Sequence, residues 1–374
     1  MTTLLAPFDH IPRTRLVFGN GAVQRIGELA QELGGKRVLV VSDAGIVRAG
    51  HTGHAVEALR KAGLESAVFD QVHENPTNLD VDACVEFARD FKTDLIIGLG
   101  GGSSMDTAKG CNFILTNGGT MKDYWGVGKA TREMLPLIAV PTTAGTGSEC
   151  QSFALISDAV THVKMACGDP KAAAKIALLD PELTVSQPAR VTAVTGIDAV
   201  AHALETAVTN KRTPLSTTYS RQSFRFLMRG FERVLQEPTD LEARSSMQLG
   251  AAFAGTAIEN SMLGAAHSCA NPLTAEFNIV HGQAVGLMLP HIIRFNAALP
   301  EIAEIYASYH AGDLPGRVTE LLRAAGLRTQ LRELNVDRDR IPVLAQGAAK
   351  QWTANFNPRP LTEGDFIALY EAAW

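Results

Sequence analysis

Strands alternating with helices through the first half of the chain, long amphipathic helical patterns after Pro188, and a length of 374 residues predict two domains. The first is an α/β domain over residues 1–187 and the second an all-helical domain over residues 188–374. Arg37-Val38-Leu39-Val40-Val41-Ser42 opens the series with an apolar run of strand length, the pattern of a strand buried on both faces. His54 to Ala62 has helical spacing, Ser66 to Phe69 reads as a second strand, and Leu79 to Phe91 as a second helix. Asp94 to Gly98 is a third strand, followed by a glycine turn and a helix from about Met105. Leu137 to Val140 runs as a strand into Pro141, and Ala177 to Leu179 is another. Strands separated by helices pair in parallel through helical crossovers, so a parallel sheet is expected. Beyond residue 187, Thr195 with Asp198 and Thr239 with Glu242 carry the spacing of a capping box, which predicts helix starts at both places.

Charge and composition exclude several classes of function. The 34 Lys and Arg against 39 Asp and Glu leave a net charge of −5 with no run of like charges. That balance argues against nucleic acid or an anionic membrane as a partner. The longest apolar stretches fall short of the ~18 residues needed to span a bilayer. Met1 to Phe8 lacks the basic cluster and long apolar run of a signal peptide, so a cytoplasmic location is expected. The cysteines, at 84, 111, 150, 167 and 269, are odd in number and nowhere form Cys-x-x-Cys. This argues against a disulfide framework and a thiolate zinc site, leaving oxygen and nitrogen donors for any metal.

Gly98-Leu99-Gly100-Gly101-Gly102-Ser103-Ser104 follows a buried strand and opens a helix. Backbone amides and a helix N-terminus can there converge on an anion, with phosphate the natural ligand. Ser103 occupies the last glycine position of the dinucleotide fingerprint, and the Gly-Lys-Ser/Thr ending of a P-loop is absent. A tight strand-to-helix connection without a ligand would use the same residues. Asp43, just past the first buried strand, is placed to accept hydrogen bonds from an adenosine ribose and repel a 2′-phosphate, or simply to be solvated. A second polar, small-residue segment, Pro141 to Glu149, also follows a strand, which suggests a shared crevice at the strand ends.

Asp198 and His202 stand at i and i+4 of a predicted helix and share one face. His267 and His281 are 14 residues apart, about 21 Å in one unbroken helix and too far for a common ion. Pro272 offers a break, with one helix ending near Asn271 and the next starting near Gly282. A carboxylate with three imidazoles would suit Fe(II) or Zn(II), with Mn, Co or Ni possible, whereas Mg and Ca prefer more oxygen. Asp198 could equally serve only as the capping acid of Thr195, and single histidines in such helices are often structural.

Taken together, these segments resemble the iron-containing (group III) alcohol dehydrogenase family. The resemblance rests on Gly100 to Ser103 with Asp106 and Ala108-Lys109, then Pro141 to Glu149, then Thr195 to Asp198 with His202 to Glu205. It continues through Asn260, Leu263-Gly264, His267, His281-Gly282 and Asn357-Pro358-Arg359, in order, from about Thr14 to the C-terminus. It implies a Rossmann-like nucleotide-binding domain followed by an all-α metal-binding domain, the dehydroquinate synthase-like architecture. Its metal ligands fall on Asp198, His202, His267 and His281. Its cofactor contacts fall on Asp43, Asn75, Gly101, Gly102, Ser103, Asp106, Thr142, Thr143, Thr146, Lys164 and Leu183.

The activity implied is NAD-linked hydride transfer between alcohols and aldehydes, with the acid at Asp43 favouring NAD(H) over NADP(H). The metal implied is Fe(II), with Zn(II) as the alternative, and the assembly a homodimer or larger homo-oligomer. A glycerol-dehydrogenase-like polyol oxidoreductase would share the fold. A dehydroquinate-synthase-like lyase would need a basic pocket, and Lys and Arg are sparse around the ligand segments. Many relatives carry a further histidine four residues after His267, where this chain has Asn271, which cannot exchange a proton.

Overall fold

The structure, a computed structural model, describes residues 7–161 and 163–374, so most of the Met1 to Phe8 stretch read for a signal peptide lies outside the described residues. The chain divides into two compact units, one built from His10–Thr143 with Gly147–Gln187 and the other chiefly from Pro188–Trp374 with Ala144–Thr146.

The first unit contains strands β1 (Arg15–Phe18), β2 (Arg37–Val41), β3 (Glu65–Phe69), β4 (Leu95–Gly100), β5 (Gly126–Val127), β6 (Leu137–Pro141), β7 (Phe153–Ser157), β8 (Lys164–Gly168) and β9 (Ile176–Leu179). Six of these form a sheet in the order β1-β9-β6-β4-β2-β3, with every neighbouring pair parallel. Successive residues of a strand point to opposite faces, and here they enter two separate apolar clusters. Leu39, Val41, Ile96 and Ala139 join one; Val38, Val40, Ile97 and Val140 join the other. Helices α4 (Asn78–Asp90) and α5 (Gly102–Asn117) cover the first face through residues such as Val81 and Met105. Helices α1 (Ile26–Glu32) and α3 (His51–Lys61) cover the second through Leu29 and Leu59, with the short α2 (Ala44–Arg48) leading into α3.

The expected parallel α/β sheet is thus present, with strands that the sequence pattern does not reveal. β1 is one, held by parallel pairing with β9, and the turn that follows it is fixed by the buried Asp180 carboxylate, which accepts the Gly21 and Val23 amides at 3.1 and 3.0 Å. The small sheet β5-β8-β7 is another. Its strands are short and only partly buried, which leaves little apolar run to read.

In the second unit α6 (Ala189–Thr206) is buried along most of its length and packs against α7 (Pro214–Gln236), α8 (Leu241–Ser261) and α10 (His281–Asn296). Helices α9 (Ala265–Phe277), α11 (Pro300–Tyr309), α12 (Leu314–Ala324), α13 (Ile341–Ala349) and α14 (Glu363–Ala373) complete it. Among the described residues no helix is long and apolar enough to cross a membrane.

Of the two helix starts read from capping spacing, the first is corrected and the second stands with a different cap. α6 begins at Ala189 after Pro188, and Thr195 lies inside it with its hydroxyl bonded to Val191 O at 2.8 Å. Asp198 is therefore not a capping acid. α8 is capped by Asp240, whose carboxylate accepts the Glu242 and Ala243 amides, rather than by Thr239. Pro272 does not break its helix either; it packs inside α9 against the Gly347 position. The break falls at Asn278, in the left-handed region with φ 53°, which asparagine tolerates well.

Candidate functional site

Helix α6 presents Asp198, His202 and Glu205 at i, i+4 and i+7, one above another on a single face. Glycines packed against α6 explain how neighbouring backbone comes so close. A Cβ at Gly145 would lie 2.4 Å from Thr195 Cβ, and one at Gly282 only 2.0 Å from Val194 O. The start of α10 therefore packs directly on α6, and His281 is the first residue of α10. His267 enters from the first turn of α9, and the left-handed Asn278 reverses the chain so that both helix starts face α6.

The side chains converge. Ligand atoms of Asp198, His267 and His281 all lie within 4.8 Å of one another. His202 Nε2 is 3.0 Å from His267 Nε2 and 3.5 Å from Asp198 Oδ1, so it joins the same cluster. Asp198, His202 and His267 are buried, with His281 half-buried. Asp198 Oδ1 is buried with no hydrogen-bond partner, although two imidazoles approach it at 3.5 Å. A buried carboxylate oxygen left without a proton donor is costly unless a cation completes it.

The electrostatics agree. Burial acts to raise the Asp198 pKa, but the surrounding His202, His267 and His281 hold its carboxyl well below the usual carboxylate range. Burial depresses His202. Burial also works against charging His267, yet Glu205 and Asp198 outweigh it and push that imidazole up to about 9. One ionised carboxylate and three nitrogen donors fit a borderline divalent ion such as Fe(II) or Zn(II). Asn271, one turn beyond His267, donates its amide to Gln351 Oε1 at 2.8 Å.

In the first unit the predicted cofactor residues gather at the C-terminal ends of three adjacent strands, β2, β4 and β6, where open parallel sheets bind ligands. Gly100 has φ +151°, and a Cβ there would sit 2.4 Å from Ser104 Oγ and 3.5 Å from Asp43 Oδ2. A Cβ at Gly101 would touch Thr143 Cγ2 at 3.4 Å. α5 starts at Gly102 with no side-chain cap and no acid in its first turn, which leaves amides near Gly101, Gly102 and Ser103 for an anion. Thr142 Oγ1 is buried there without a partner. Asp43 caps α2 through Oδ1, with the Gly45 and Ile46 amides at 2.8 and 3.1 Å, and its Oδ2 faces the glycine turn.

Other predicted contacts separate from this group. Asn75, with φ 54°, and Lys164 form an exposed pair at 3.5 Å. Leu183 is packed in the apolar core. Thr146 belongs to the segment that clusters with the helical unit. Asp106 is buried and accepts the Ser148 hydroxyl at 2.8 Å, with burial raising its pKa against the pull of Lys109 and Ser148.

Lys109 and Glu205 stand among the segments that carry the resemblance, but the sequence assigned neither a role. Lys109 is fully buried and donates to Ser148 O, Ser148 Oγ and Phe153 O at 2.6, 2.8 and 2.9 Å, joining the glycine-turn helix to the second small-residue segment. Its signals were its place beside Ala108 in the glycine-turn segment and a lysine in an otherwise buried helix. Glu205 is the other: its Oε2 accepts from His267 Nδ1 and its Oε1 from the Ala266 amide at 2.7 Å. The signal was a third polar residue continuing the Asp198 and His202 face.

Comparison with known proteins gives a consistent result. The sequence profile of iron-containing alcohol dehydrogenases matches residues 12–181, and that of the C-terminal region of the Fe-containing alcohol dehydrogenase family matches residues 192–374. An NAD-dependent methanol dehydrogenase from Bacillus methanolicus is 32% identical, over 96% of this chain and 97% of the relative. A 1,3-propanediol dehydrogenase from Klebsiella pneumoniae is also 32% identical, over 98% of this chain and 99% of its own. Among solved structures, a 1,3-propanediol oxidoreductase superposes with a TM-score of 0.93 at 31% identity, covering 99% of this chain and 100% of its own. The sulfoacetaldehyde reductase of Bifidobacterium kashiwanohense, solved with NAD+, reaches 0.90 at 27% identity, covering 98% of this chain and 99% of its own.

Proposed function

Because the chain belongs to the iron-containing alcohol dehydrogenase family, we propose that it is a metal-dependent, NAD-linked alcohol dehydrogenase and aldehyde reductase. It transfers a hydride between the carbinol carbon of a small alcohol and C4 of the nicotinamide. The observation that carries this reading is the convergence of Asp198, His267 and His281, joined by His202, around an unpartnered carboxylate oxygen.

Asp198, His202, His267 and His281 would hold Fe(II), or Zn(II) in its place. Bound there, the ion supplies Lewis acidity toward the substrate oxygen. The chain's own residues do the rest. The uncapped start of α5 at Gly101 to Ser103 receives the cofactor's pyrophosphate, and Asp43 Oδ2 accepts from the adenosine ribose. Thr142 and Thr143 orient the cofactor from the adjacent strand end. The carboxylate at Asp43 repels a 2′-phosphate, which favours NAD(H) over NADP(H).

Asn271 holds no exchangeable acid or base, so the alcohol proton leaves through ordered water or a cofactor hydroxyl. The substrate class is small primary alcohols and their aldehydes. A homodimer or larger homo-oligomer in the cytoplasm completes the reading, and the five free, buried thiols suit that reducing compartment.

The test follows nicotinamide absorbance at about 340 nm with a panel of short alcohols and aldehydes. Chelator-treated protein is reloaded with Fe(II) or Zn(II) and supplied with NAD(H) or NADP(H). Turnover that requires metal and prefers NAD(H) is expected. Turnover indifferent to metal would overturn the ligand assignment, and tight NAD binding without turnover on any alcohol would favour lyase chemistry.

A further inference from the structure

We infer that Glu205 is a positioning residue for the metal centre, fixing His267 in the tautomer that leaves Nε2 as the ligand atom while anchoring the helix that carries it. The inference rests on the metal-site reading above and adds to it a residue outside the ligand set.

Glu205 is 3% exposed, so its contacts are not shared with bulk water. Its two oxygens do different work. Oε2 accepts from His267 Nδ1, which places a ring proton on Nδ1 and leaves Nε2 as the nitrogen turned toward Asp198 and His202 and available to a metal. Oε1 accepts the Ala266 amide at 2.7 Å, satisfying a donor in the first turn of α9, where the helix dipole favours a carboxylate. The imidazole is thus held in angle by one oxygen and its helix held in position by the other.

The surroundings support that double role. A Cβ at Gly264 would lie 3.1 Å from Glu205 Oε1 and 3.2 Å from Asn357 Oδ1, so a side chain there would crowd both groups. Asn357 Oδ1 accepts the neighbouring Ala265 amide at 3.4 Å. Asn357 is itself fixed by reciprocal bonds with Asn296, at 3.1 and 2.7 Å. The first turn of α9 is therefore gripped from α6 by Glu205 and from the C-terminal segment by Asn357. A simple helix cap would need no contact with the imidazole, and a simple histidine partner would need none with the backbone.

A carboxylate behind a ligating imidazole raises its basicity and fixes its orientation, and losing such a partner typically costs about 10- to 100-fold in metal affinity. Glu205→Gln keeps the shape but not the function, because one of its two atoms becomes an NH2 facing either the His267 Nδ1–H or the Ala266 N–H. Glu205→Asp keeps the charge but shortens the reach.

The experiment titrates chelator-stripped wild type, Glu205→Gln and Glu205→Asp with Zn(II) against a chromophoric chelator, with NADH fluorescence as the control for the other unit. We expect Zn(II) binding about 10- to 100-fold weaker in Glu205→Gln, an intermediate loss in Glu205→Asp, and unchanged NADH affinity in both. A folded Glu205→Gln that binds Zn(II) as tightly as wild type overturns the inference while leaving the metal site intact. A wild type that takes up no Zn(II) overturns the metal-site reading and this inference with it.

Should neither variant fold, the zinc-loaded wild type with 15N-labelled histidine decides the matter by NMR. A proton on His267 Nδ1 supports the inference, and metal on Nδ1 overturns it.

Discussion

Replacing Gly282 with alanine tests whether backbone contact between α6 and α10 sets the geometry of the ligand cluster. The new Cβ would lie 2.0 Å from Val194 O and 2.8 Å from Val194 C, and neither atom can swing aside as a side-chain tip would. An ordinary carbon–oxygen contact needs about 3.3 Å, so the helices must part by roughly 1.3 Å at this point. His281 is the adjacent residue on one helix, and Asp198 and His202 lie on the other. The displacement therefore opens the cluster between its donors.

Overpacking of this kind costs about 2 kcal/mol, and a misplacement of about 1 Å can cost on the order of 100-fold in rate. Zn(II) titration of the stripped protein should show a large loss of affinity, and thermal melting a lowered midpoint. NADH fluorescence should change little, because the residues proposed to hold the nucleotide lie mainly in the other unit. Zn(II) affinity within about twofold of wild type, together with an unshifted midpoint, would refute the reasoning.

Lys109→Met removes three hydrogen bonds from buried acceptors and strips Asp106 of its cation, which should cost about 3–5 kcal/mol and weaken NADH binding, measured by melting and fluorescence. Glu149 is pushed up to about 7 by burial against an ordinary 4.5, with Lys109 opposing the rise. The folded chain therefore keeps that proton longer than the unfolded chain, and stability is lost as pH rises through about 7. The window is worth about 3 kcal/mol, so Glu149→Gln should raise the melting midpoint at pH above about 8 and match wild type below about 4.5. Asp43→Asn keeps an effective cap for α2 but removes the charge facing the glycine turn; NADP(H) should gain on the order of tenfold relative to NAD(H) in kcat/KM, with the melting midpoint unchanged.

How much could be read without the structure follows from how local each signal is. β2, β4 and β6 announce themselves because strands buried on both faces must be apolar along their buried length, and all three are, with only the half-buried Arg37 at the start of β2 departing from the run. The glycine turn is equally local, because a strand, a run of small residues and a helix are contiguous in the chain. β1 offered no such pattern, since three of its four residues are exposed and its place depends on pairing with the distant β9. The start of α6 was misread because Thr195 and Asp198 have capping spacing, yet Thr195 satisfies its hydroxyl on Val191 and leaves the helix unbroken. His267 and His281 were recognisable as donors, but not the turn that joins them. That turn depends on a left-handed Asn278, while Pro272 is absorbed into α9.

The same contrast explains where the specificity of the site resides. In the proposed site histidine and aspartate supply the donor atoms, but their positions depend on how closely neighbouring backbone can approach. Gly145 lies against Thr195, Gly282 against Val194, and Gly264 against Glu205 and Asn357, so an added Cβ meets an obstacle at each ligand-bearing segment. Gly196, two residues before Asp198, likewise admits the Phe231 ring at a distance of 2.4 Å from where its Cβ would be. At Gly145 and Gly282 the obstacle includes backbone atoms, which cannot rotate away, whereas at Gly264 and Gly196 it is a packed side chain that has to shift. A change at one of these glycines should therefore disturb the donor geometry while every ligand remains in the sequence, whereas a conservative change in the outer helices should not. In the proposed site the chemistry falls to four polar residues, and how closely they meet depends on close backbone approach at Gly145 and Gly282 together with the Glu205 carboxylate behind His267.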